Sequence, residues 1–527
     1  MIRIRSGIFI LVSILSFIGS VFSQKYCVTQ SCNDTAKTFL YNMNNSADPC
    51  DDFYQFACGG FLNKTVVKSD EIKVNTFSEI SDRVTSQLKT LLEKDSTTQD
   101  TKPFVLVRNF YRACINETAI ETAGLEPLQK MISKLGGWLD TKDIHDMLRK
   151  GKKYNWTTDL KLLRENGYST NILLELKVAQ DWKNSSQSSF FLNRPKFGLK
   201  RDFLVNGRGD KRVEVQNEDN VIVSEPSYVK NLYGLMFDSS LEVVKDYVRW
   251  RVIESSIPNL NAAAQNISEA FSNNLYGTSS KQSIETTCIQ LVSNKLKHAV
   301  GAMYVNKTDW VKNGKGVIVN AFYSGLNNAL VLPAAILQGL VFSADRPNYL
   351  NLGAIGWIIG HEITHGFDNK GQKFDKDGDL VNWWDNNTKK NFSERAECFV
   401  EQYGNFTIKS VNKTIDGELT LGENIADNGG IREAYQAYLE WKNNNTDTIE
   451  ILPGLNFTSN QLFWLSGANM WCTKIRAKSE EMLLKTNPHS LPIARVDLSF
   501  SNNEDFVRDF NCPVDSKMNP SKKCRVW

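Results

Sequence analysis

The amino-acid sequence predicts a mainly α-helical protein with a small β-sheet, an α+β fold. Two observations support this fold class. Apolar residues recur at three- and four-residue spacing through most of the first 300 residues, which is the period of amphipathic helices. Near residue 306 the character changes, and a β-branched and aromatic run, Val317 to Tyr323, lies between glycines and predicts a strand. We therefore place a domain boundary near residue 305.

Helical segments account for most of the first domain, 24–305, and for two key parts of the second, 306–527. The first segment is predicted to end near Gly59 and Gly60. The polar stretch 206–220 has no apolar period and is predicted to be a loop. The predicted helices cover residues 36–62, 77–95, 104–118, 123–134, 143–150 and 227–305, followed by Ile355–His365 and Gly422–Trp441.

Composition is that of an ordinary globular protein. Of 527 residues, 41% are hydrophobic and 23% are charged, so the chain can bury a large core. Lys and Arg total 62 against 59 for Asp and Glu. This balance, without a basic block, gives no reason to expect nucleic acid or an anionic membrane surface as a partner.

Residues 1–23 are typical of a signal peptide. Arg3 and Arg5 precede an almost wholly apolar run, Ile8–Phe22, and small residues favour cleavage after Ser23. The run is about 15 residues long, shorter than the roughly 20 that span a bilayer. We therefore expect a secreted protein without stable membrane insertion. The alternative is a plasma-membrane ectoenzyme that retains this segment as an anchor.

Cysteines and glycosylation triplets support an extracellular location. After the predicted cut an even number of cysteines remains, and in an oxidising compartment these are expected to pair. Many Asn-x-Ser/Thr triplets, such as those at Asn63, Asn116 and Asn405, indicate a glycosylated ectodomain. The cysteines are Cys27, Cys32, Cys50, Cys58, Cys114, Cys288, Cys398, Cys472, Cys512 and Cys524.

The segment GHEITHGFD, residues 360–368, predicts a metal site. His361 and His365 are four residues apart, so on a helix they project from one face and can reach one tetrahedral zinc ion. Glu362 lies beside them, where it can take a proton from the attacking water. A catalytic zinc site needs three protein ligands and one open position, so a third His or Glu is expected elsewhere.

A second acidic segment, GENIADNGG at 422–430, offers that third ligand. Glu423 and Asp427 are four residues apart and share one helical face. Glu423 can bind zinc, and Asp427 can accept the second ring proton of a ligand histidine. A solvated acidic helix start is the alternative, because such starts are common.

Several long motifs carry a resemblance to a known family. The chain resembles the neprilysin and endothelin-converting-enzyme family of zinc endopeptidases, almost continuously from residue 317 to 527 and in patches over 50–300. The matching segments are HEITHGFD, GENIADNGG, NPHSLPIAR, the terminal CRVW, VNAFY at 319–323, CDDFYQFACGGF at 50–61 and YRACINE at 111–117.

The resemblance implies a thermolysin-like catalytic domain beside a reduced helical N-terminal domain. It implies one Zn²⁺ per chain, with His361, His365 and Glu423 as ligands. It also implies Glu362 as the general base and Asp427 as an orienting carboxylate. Peptides are the implied substrates, and the oligomeric state stays open.

Further residues are implied to contact the peptide. Asn320 and Ala321 would hold an extended substrate as an added strand. His489 would donate a hydrogen bond to the oxyanion; a surface-loop histidine is the alternative. Arg495 would bind a substrate carbonyl, a task that suits a guanidinium.

An apolar pocket is implied for the side chain that follows the scissile bond. Its residues are all hydrophobic, which implies cleavage on the amino side of hydrophobic residues. Ordinary core packing is the alternative for each of them, above all for Ile358. The pocket residues are Ile336, Val341, Trp357, Ile358 and Trp471.

The resemblance also implies how the ten cysteines pair, with none left over. Two of the bonds would join the N-terminal region to the catalytic domain. The implied pairs are Cys27–Cys32, Cys50–Cys512, Cys58–Cys472, Cys114–Cys288 and Cys398–Cys524.

Three departures from the family pattern are visible. Helical stretches are absent near Phe203 and after Val305, which fits either a compact enzyme or a truncated gene product. Asn487 stands where the family usually has Asp, so an imidazolium at His489 has less electrostatic support. Lys73 stands in place of an arginine that binds a terminal carboxylate. A catalytically weakened or silent peptide-binding homologue is therefore the competing function.

Overall fold

The computed structural model describes most of both predicted domains. The predicted signal peptide, the loop 206–220, the helix 143–150 and the boundary near residue 305 lie outside the described residues. The structure describes residues 25–68, 71–95, 97–137, 156–195, 221–223, 226–238, 241–276, 288–289, 317–445 and 450–527.

Helices dominate the N-terminal half, as predicted. The predicted helices 77–95 and 123–134 are confirmed as α3 (Thr76–Glu93) and α6 (Glu126–Lys134). The predicted helix 104–118 is confirmed as α4 (Lys102–Cys114), but it ends earlier because Asn116 caps the next helix. The described residues of 227–305 include α8, α9 and α10. In chain order the elements are α1 Gln30–Asn42, α2 Phe53–Lys64, β1 Lys73–Asn75, α3 Thr76–Glu93, α4 Lys102–Cys114, α5 Glu117–Ala123, α6 Glu126–Lys134, α7 Trp156–Glu165, β2 Glu175–Gln180, β3 Ser188–Asn193, β4 Val221–Val223, α8 Pro226–Asp238, α9 Leu241–Ser256 and α10 Ala262–Tyr276.

The prediction of one helical segment over 36–62 is wrong in its middle and at its end. The chain leaves the helix after α1, and Asp52 caps α2 through its side chain. Helix α2 continues past Gly60 for another turn. A Cβ on Gly60 would lie 2.5 Å from the backbone oxygen of Tyr41. The glycine therefore permits close packing of α2 against the end of α1 and does not stop the helix.

The N-terminal half contains a three-stranded sheet that was not predicted from the sequence. Strand β3 pairs antiparallel with β2 and parallel with β4. Phe191 is buried and packs against Trp182, with ring centroids 5.6 Å apart. Val178 and Phe190 lie opposite each other on the other face and are exposed. Because both faces carry apolar residues, the alternation that predicts a half-buried strand is weak here.

The C-terminal half is also helical, with short two-stranded pairings. The predicted helix Gly422–Trp441 lies within α14. The elements are β5 Phe322–Ser324, β6 Ala329–Val331, α11 Asn348–Asn351, α12 Trp357–Thr364, α13 Asn386–Gly404, β7 Thr407–Ile408, β8 Lys413–Thr414, α14 Gly417–Asn444, α15 Ser459–Trp471, β9 Thr473–Ile475, α16 Ala477–Thr486, α17 Pro492–Ser501 and α18 Glu504–Phe510.

The strand predicted over Val317–Tyr323 begins later than expected. Strand β5 starts at Phe322 and pairs antiparallel with β6, with Tyr323 opposite Leu330. Strand β6 offers partners only to the three residues of β5. β-branched composition favours a strand, but a paired neighbour decides where the strand starts.

One hydrophobic core joins the two halves of the chain. It contains buried side chains of α1, α2 and α3 together with those of α12, α14, α15 and α17. Phe53 of α2 meets Phe506 of α18 edge-on at 4.9 Å, and Tyr435 stacks on Trp464 at 4.8 Å. This core holds α12 and α14, the helices with the predicted metal ligands, in fixed relative positions.

Five disulfide bonds pair all ten cysteines as the resemblance implies. Two of them connect α2 and the turn before it to the C-terminal half, across 462 and 414 residues of sequence. The bonds are Cys27–Cys32, Cys50–Cys512, Cys58–Cys472, Cys114–Cys288 and Cys398–Cys524.

Candidate active site

Helices α12 and α14 cross at close range because each has a glycine at the crossing point. A Cβ on Gly360 would lie 2.6 Å from the backbone oxygen of Gly430. A Cβ on Gly430 would lie 2.3 Å from the backbone nitrogen of His361. Larger side chains would separate the helices. The two glycines therefore let the histidines of one helix meet the carboxylates of the other.

The three predicted metal ligands converge at this crossing. Nε2 of His361 and Nε2 of His365 are 3.0 Å apart. Oε2 of Glu423 lies 3.2 Å from the first and 3.3 Å from the second. Among the described residues this buried oxygen has no hydrogen-bond partner. Two imidazoles and one carboxylate are a donor set that fits zinc, and the orphaned oxygen is what a site for a cation requires.

Carboxylates fix the orientation of both imidazoles. Oδ1 of Asp427 lies 2.8 Å from Nδ1 of His361, and Oδ2 of Asp368 lies 2.7 Å from Nδ1 of His365. An ionised carboxylate only accepts, so each Nδ1 carries a proton and each Nε2 faces the centre, where its deprotonated form can bind a metal ion. Asp368 was not among the residues predicted from the sequence. Its place in the segment GHEITHGFD, close after the second histidine, was the available signal.

Charge balance in the site favours a cation. Burial opposes ionisation of Glu423, but His361, His365 and His489 outweigh it and hold its pKa below the usual range. Burial also opposes a charge on His361, yet Asp427 and Glu423 raise its pKa. Burial raises the pKa of Asp427, but Arg495 and His361 outweigh it and lower the pKa. The carboxylates of Glu423 and Asp427 are therefore both ionised at neutral pH.

Glu362 lies in the same cleft and is buried. Burial raises its pKa above the ordinary glutamate value, while the nearby His361 and His365 act in the opposite direction. Tyr323 of strand β5 lines the same cleft. A carboxylate with a raised pKa is a stronger base, which suits removal of a proton from water.

A cleft of about 450 Å³ opens beside these residues. Other side chains of its wall come from β5 and from the start of α14. The predicted site residues that line it are His361, Glu362, His365, Glu423, Asn320, Ala321 and His489.

His489 lies at the edge of this cleft with Asn487 as its partner. Its Nε2 is 3.3 Å from Oε2 of Glu423, and its Nδ1 is 3.1 Å from Oδ1 of Asn487. Desolvation and the positive charge of Arg495 lower the pKa of His489 to about 4. The ring is therefore neutral near pH 7 in the free protein.

Arg495 lies below the cleft and does not line it. Its Nε donates to Oδ2 of Asp427 at 2.7 Å, and its Nη2 donates to Oδ1 at 2.6 Å. The guanidinium also stacks on the ring of Trp471, 3.8 Å from the centroid. In this arrangement Arg495 supports Asp427, and its implied contact with a substrate carbonyl stays a prediction.

The predicted apolar pocket residues lie together but within the main core. Four of them are buried there, and Trp471 packs against the same cluster. None of the five lines the described cleft. Their role in substrate selection stays a prediction. The four are Ile336, Val341, Trp357 and Ile358.

A partly buried His–His–Glu cluster with a neighbouring glutamate, beside a short strand, is the kind of site that metal-dependent hydrolases use. Two sequence profiles described as peptidase family M13 match the chain. One covers residues 320–526, and the other covers 49–218 and 210–313. The chain belongs to peptidase family M13 and is a zinc metalloendopeptidase, an enzyme that hydrolyses peptide bonds.

Two curated relatives and one solved structure illustrate the similarity. Neprilysin-2 of Drosophila melanogaster is 28% identical over 694 aligned positions, covering 95% of this chain and 89% of the relative. Human neprilysin is 26% identical, covering 96% and 94%. The zinc metalloprotease Zmp1 of Mycobacterium tuberculosis, solved with an inhibitor, has a similar fold, with a TM-score of 0.76, 20% identity and coverage of 93% and 99%. The alignment with Neprilysin-2 is longer than this chain of 527 residues, so the relative carries internal segments that this chain lacks.

None of the helices in the described ranges has both the length and the low charge that a membrane crossing requires.

Proposed function

We propose that this protein is a secreted peptidase that holds one zinc ion at His361, His365 and Glu423 and cleaves small peptides before hydrophobic residues. The observation that carries the proposal is the convergence of two Nε2 atoms and the orphaned Oε2 of Glu423 beside Glu362. The orienting carboxylates support the proposal further, because they hold both imidazoles with Nε2 directed at one point.

The metal and the residues around it have different tasks in the reaction. When bound, zinc supplies Lewis acidity that polarises the scissile carbonyl and acidifies water. Glu362 accepts the proton of the attacking water and passes it to the departing amine. His489 donates a hydrogen bond to the oxyanion that develops on the carbonyl. Asp427 and Asp368 keep the imidazoles in place throughout.

The substrate is held as an additional strand. Asn320 and Ala321 line the cleft just before β5, so an extended peptide can pair along this edge and place its carbonyl beside Glu362. Secretion is proposed from the signal peptide, the glycosylation triplets and the full pairing of the cysteines.

Cleavage-site mapping tests the proposal. A library of peptides of about ten residues is incubated with the protein, and the products are sequenced by mass spectrometry. We expect cuts on the amino side of Phe, Leu and similar residues, because the implied pocket is apolar. Preference for a charged residue at that position would contradict the pocket assignment. Binding of the peptides without any cleavage would support the silent homologue instead.

Asn487 gives a second expected result. Its Oδ1 accepts hydrogen bonds from the backbone nitrogen of His489 at 3.0 Å and from Nδ1. Nδ1 therefore carries a proton, and Nε2 can donate only when the ring is doubly protonated. A carboxylate at position 487 would stabilise that form and raise the pKa of His489. We expect N487D to raise kcat/KM at neutral pH by up to about tenfold, the effect of one pKa unit.

A pH–rate profile on one fluorogenic peptide checks this result. The rate should fall as pH rises through the pKa of His489, and N487D should move that fall to higher pH. Zinc content is the control and should not change, since residue 487 is not a ligand. Superimposable profiles would show that Asn487 has no influence on the reaction.

A further inference from the structure

We infer that Gln180 and Ser185, from the N-terminal half of the chain, position the strand on which the substrate binds. Gln180 is the last residue of β2, and Ser185 lies in the connection to β3. Residues 180–187 are here called the bridging loop. The strand is part of the β5–β6 pairing, residues 322–331, here called the substrate hairpin. The inference rests on the proposed function, in which a peptide pairs along β5.

Gln180 is connected to β5 through one intermediate side chain. Its Nε2 donates to Oδ1 of Asn327 at 2.8 Å. Nδ2 of Asn327 donates in turn to Oγ of Ser324 at 3.0 Å. Ser324 is the last residue of β5. Two consecutive hydrogen bonds therefore connect the N-terminal half of the chain to the end of β5.

Ser185 anchors the bridging loop to the segment that underlies the hairpin. It is 1% exposed. Its backbone nitrogen and its Oγ donate to Oδ1 of Asp379 at 2.7 and 2.6 Å. Its Oγ also lies 2.8 Å from the backbone oxygen of Asp377. Near these contacts, the backbone nitrogen of Leu380 donates to the backbone oxygen of Trp182 at 2.6 Å.

The segment that Ser185 anchors, residues 376–380, also contacts the turn of the substrate hairpin. Gly378 has a φ of +84°, and a Cβ there would lie 2.1 Å from the backbone oxygen of Leu326. Nδ2 of Asn328 donates to the backbone oxygen of Lys376 at 3.1 Å. The turn of the hairpin therefore packs against a segment that the bridging loop holds in place.

Contacts from outside the hairpin are needed to fix its position, because the hairpin is small. Each of its strands has three residues, and an isolated pair of that size is marginally stable. Tyr323 of β5 lines the same cleft as the general base Glu362. A small displacement of β5 would shift the substrate relative to that base, and such misplacement is costly in catalysis.

The test compares Q180A with Q187A on two substrates. Gln187 lies in the same loop and is exposed, and among the described residues its side chain makes no hydrogen bond. We expect Q180A to lower kcat/KM about fivefold, mainly through KM, on a peptide long enough to pair along β5. A short acylated dipeptide amide should change less than twofold. Q180M, which keeps the bulk but not the donor, should match Q180A.

Zinc content and Tm are measured for every variant, and both are expected to stay at wild-type values in the variants of Gln180 and Gln187. The inference is overturned if Q180A behaves like Q187A, if the long and short substrates lose equally, or if Q180M retains wild-type KM. A wild-type protein that cleaves neither substrate would instead refute the proposed function. S185A supplies an independent variant, with the same expected substrate dependence.

Discussion

Replacing Glu362 by Gln is expected to lower kcat at least about 100-fold, the usual size of a general-base contribution. Glutamine has the size of glutamate but cannot accept the proton of water. The residue lies in the cleft beside the ligand cluster, and burial raises the pKa of its carboxyl. Zinc should remain at one ion per chain, because Glu362 is not one of the three converging ligands. Steady-state kinetics and elemental analysis of the same preparation measure both quantities.

Glu418 provides a matched control for this variant. It also lines the cleft, but it is exposed and belongs to the first turn of α14. E418Q should retain kcat within a few-fold, as exposed substitutions usually do. Turnover of E362Q close to that of E418Q would assign the proton transfer to another group.

Replacing Glu423 by Ala is expected to remove the metal and, with it, hydrolysis. The change deletes one of three ligands and leaves His361 and His365, whose Nε2 atoms are 3.0 Å apart, without the carboxylate that balances a dication. Loss of a residue that only orients a ligand weakens metal binding about 10- to 100-fold, so loss of a ligand should exceed that. Zinc retained after dialysis against a chelator-buffered solution measures the effect.

Glu440 is the control for this variant. It is exposed near the C-terminal end of the same helix, so E440A reports any general effect of removing a glutamate from α14. Both variants should keep a wild-type Tm once zinc is removed from all samples. Full zinc occupancy in E423A would contradict the ligand assignment.

Local spacing made the metal site predictable from the sequence. Two histidines four residues apart, and two carboxylates four residues apart, define their own helical faces whatever surrounds them. The sequence could not show how closely those faces approach, because that distance depends on Gly360 and Gly430 at the helix crossing. Asp368 was missed for a related reason. It follows the end of α12, where helical spacing no longer applies.

The features that were not predicted depend on contacts between residues that are far apart in the sequence. The extent of β5 depends on β6, and the sheet of β2, β3 and β4 has apolar residues on both faces, so neither was evident from residue patterns. The break after α1 was missed because the capping role of Asp52 was not recognised. An even number of cysteines predicts bonds but not partners. The correct pairs came from the resemblance to known sequences.

Zinc titration of the metal-free protein tests whether one zinc ion per chain is required for hydrolysis. The wild-type protein is stripped with a chelator, the chelator is removed, and initial rates of peptide hydrolysis are recorded as zinc is added. We expect no hydrolysis without metal and a rate that rises linearly to a break at one zinc per chain. Hydrolysis at the full rate in the stripped protein, or no hydrolysis at any zinc concentration, would contradict the assignment of the protein as a zinc peptidase.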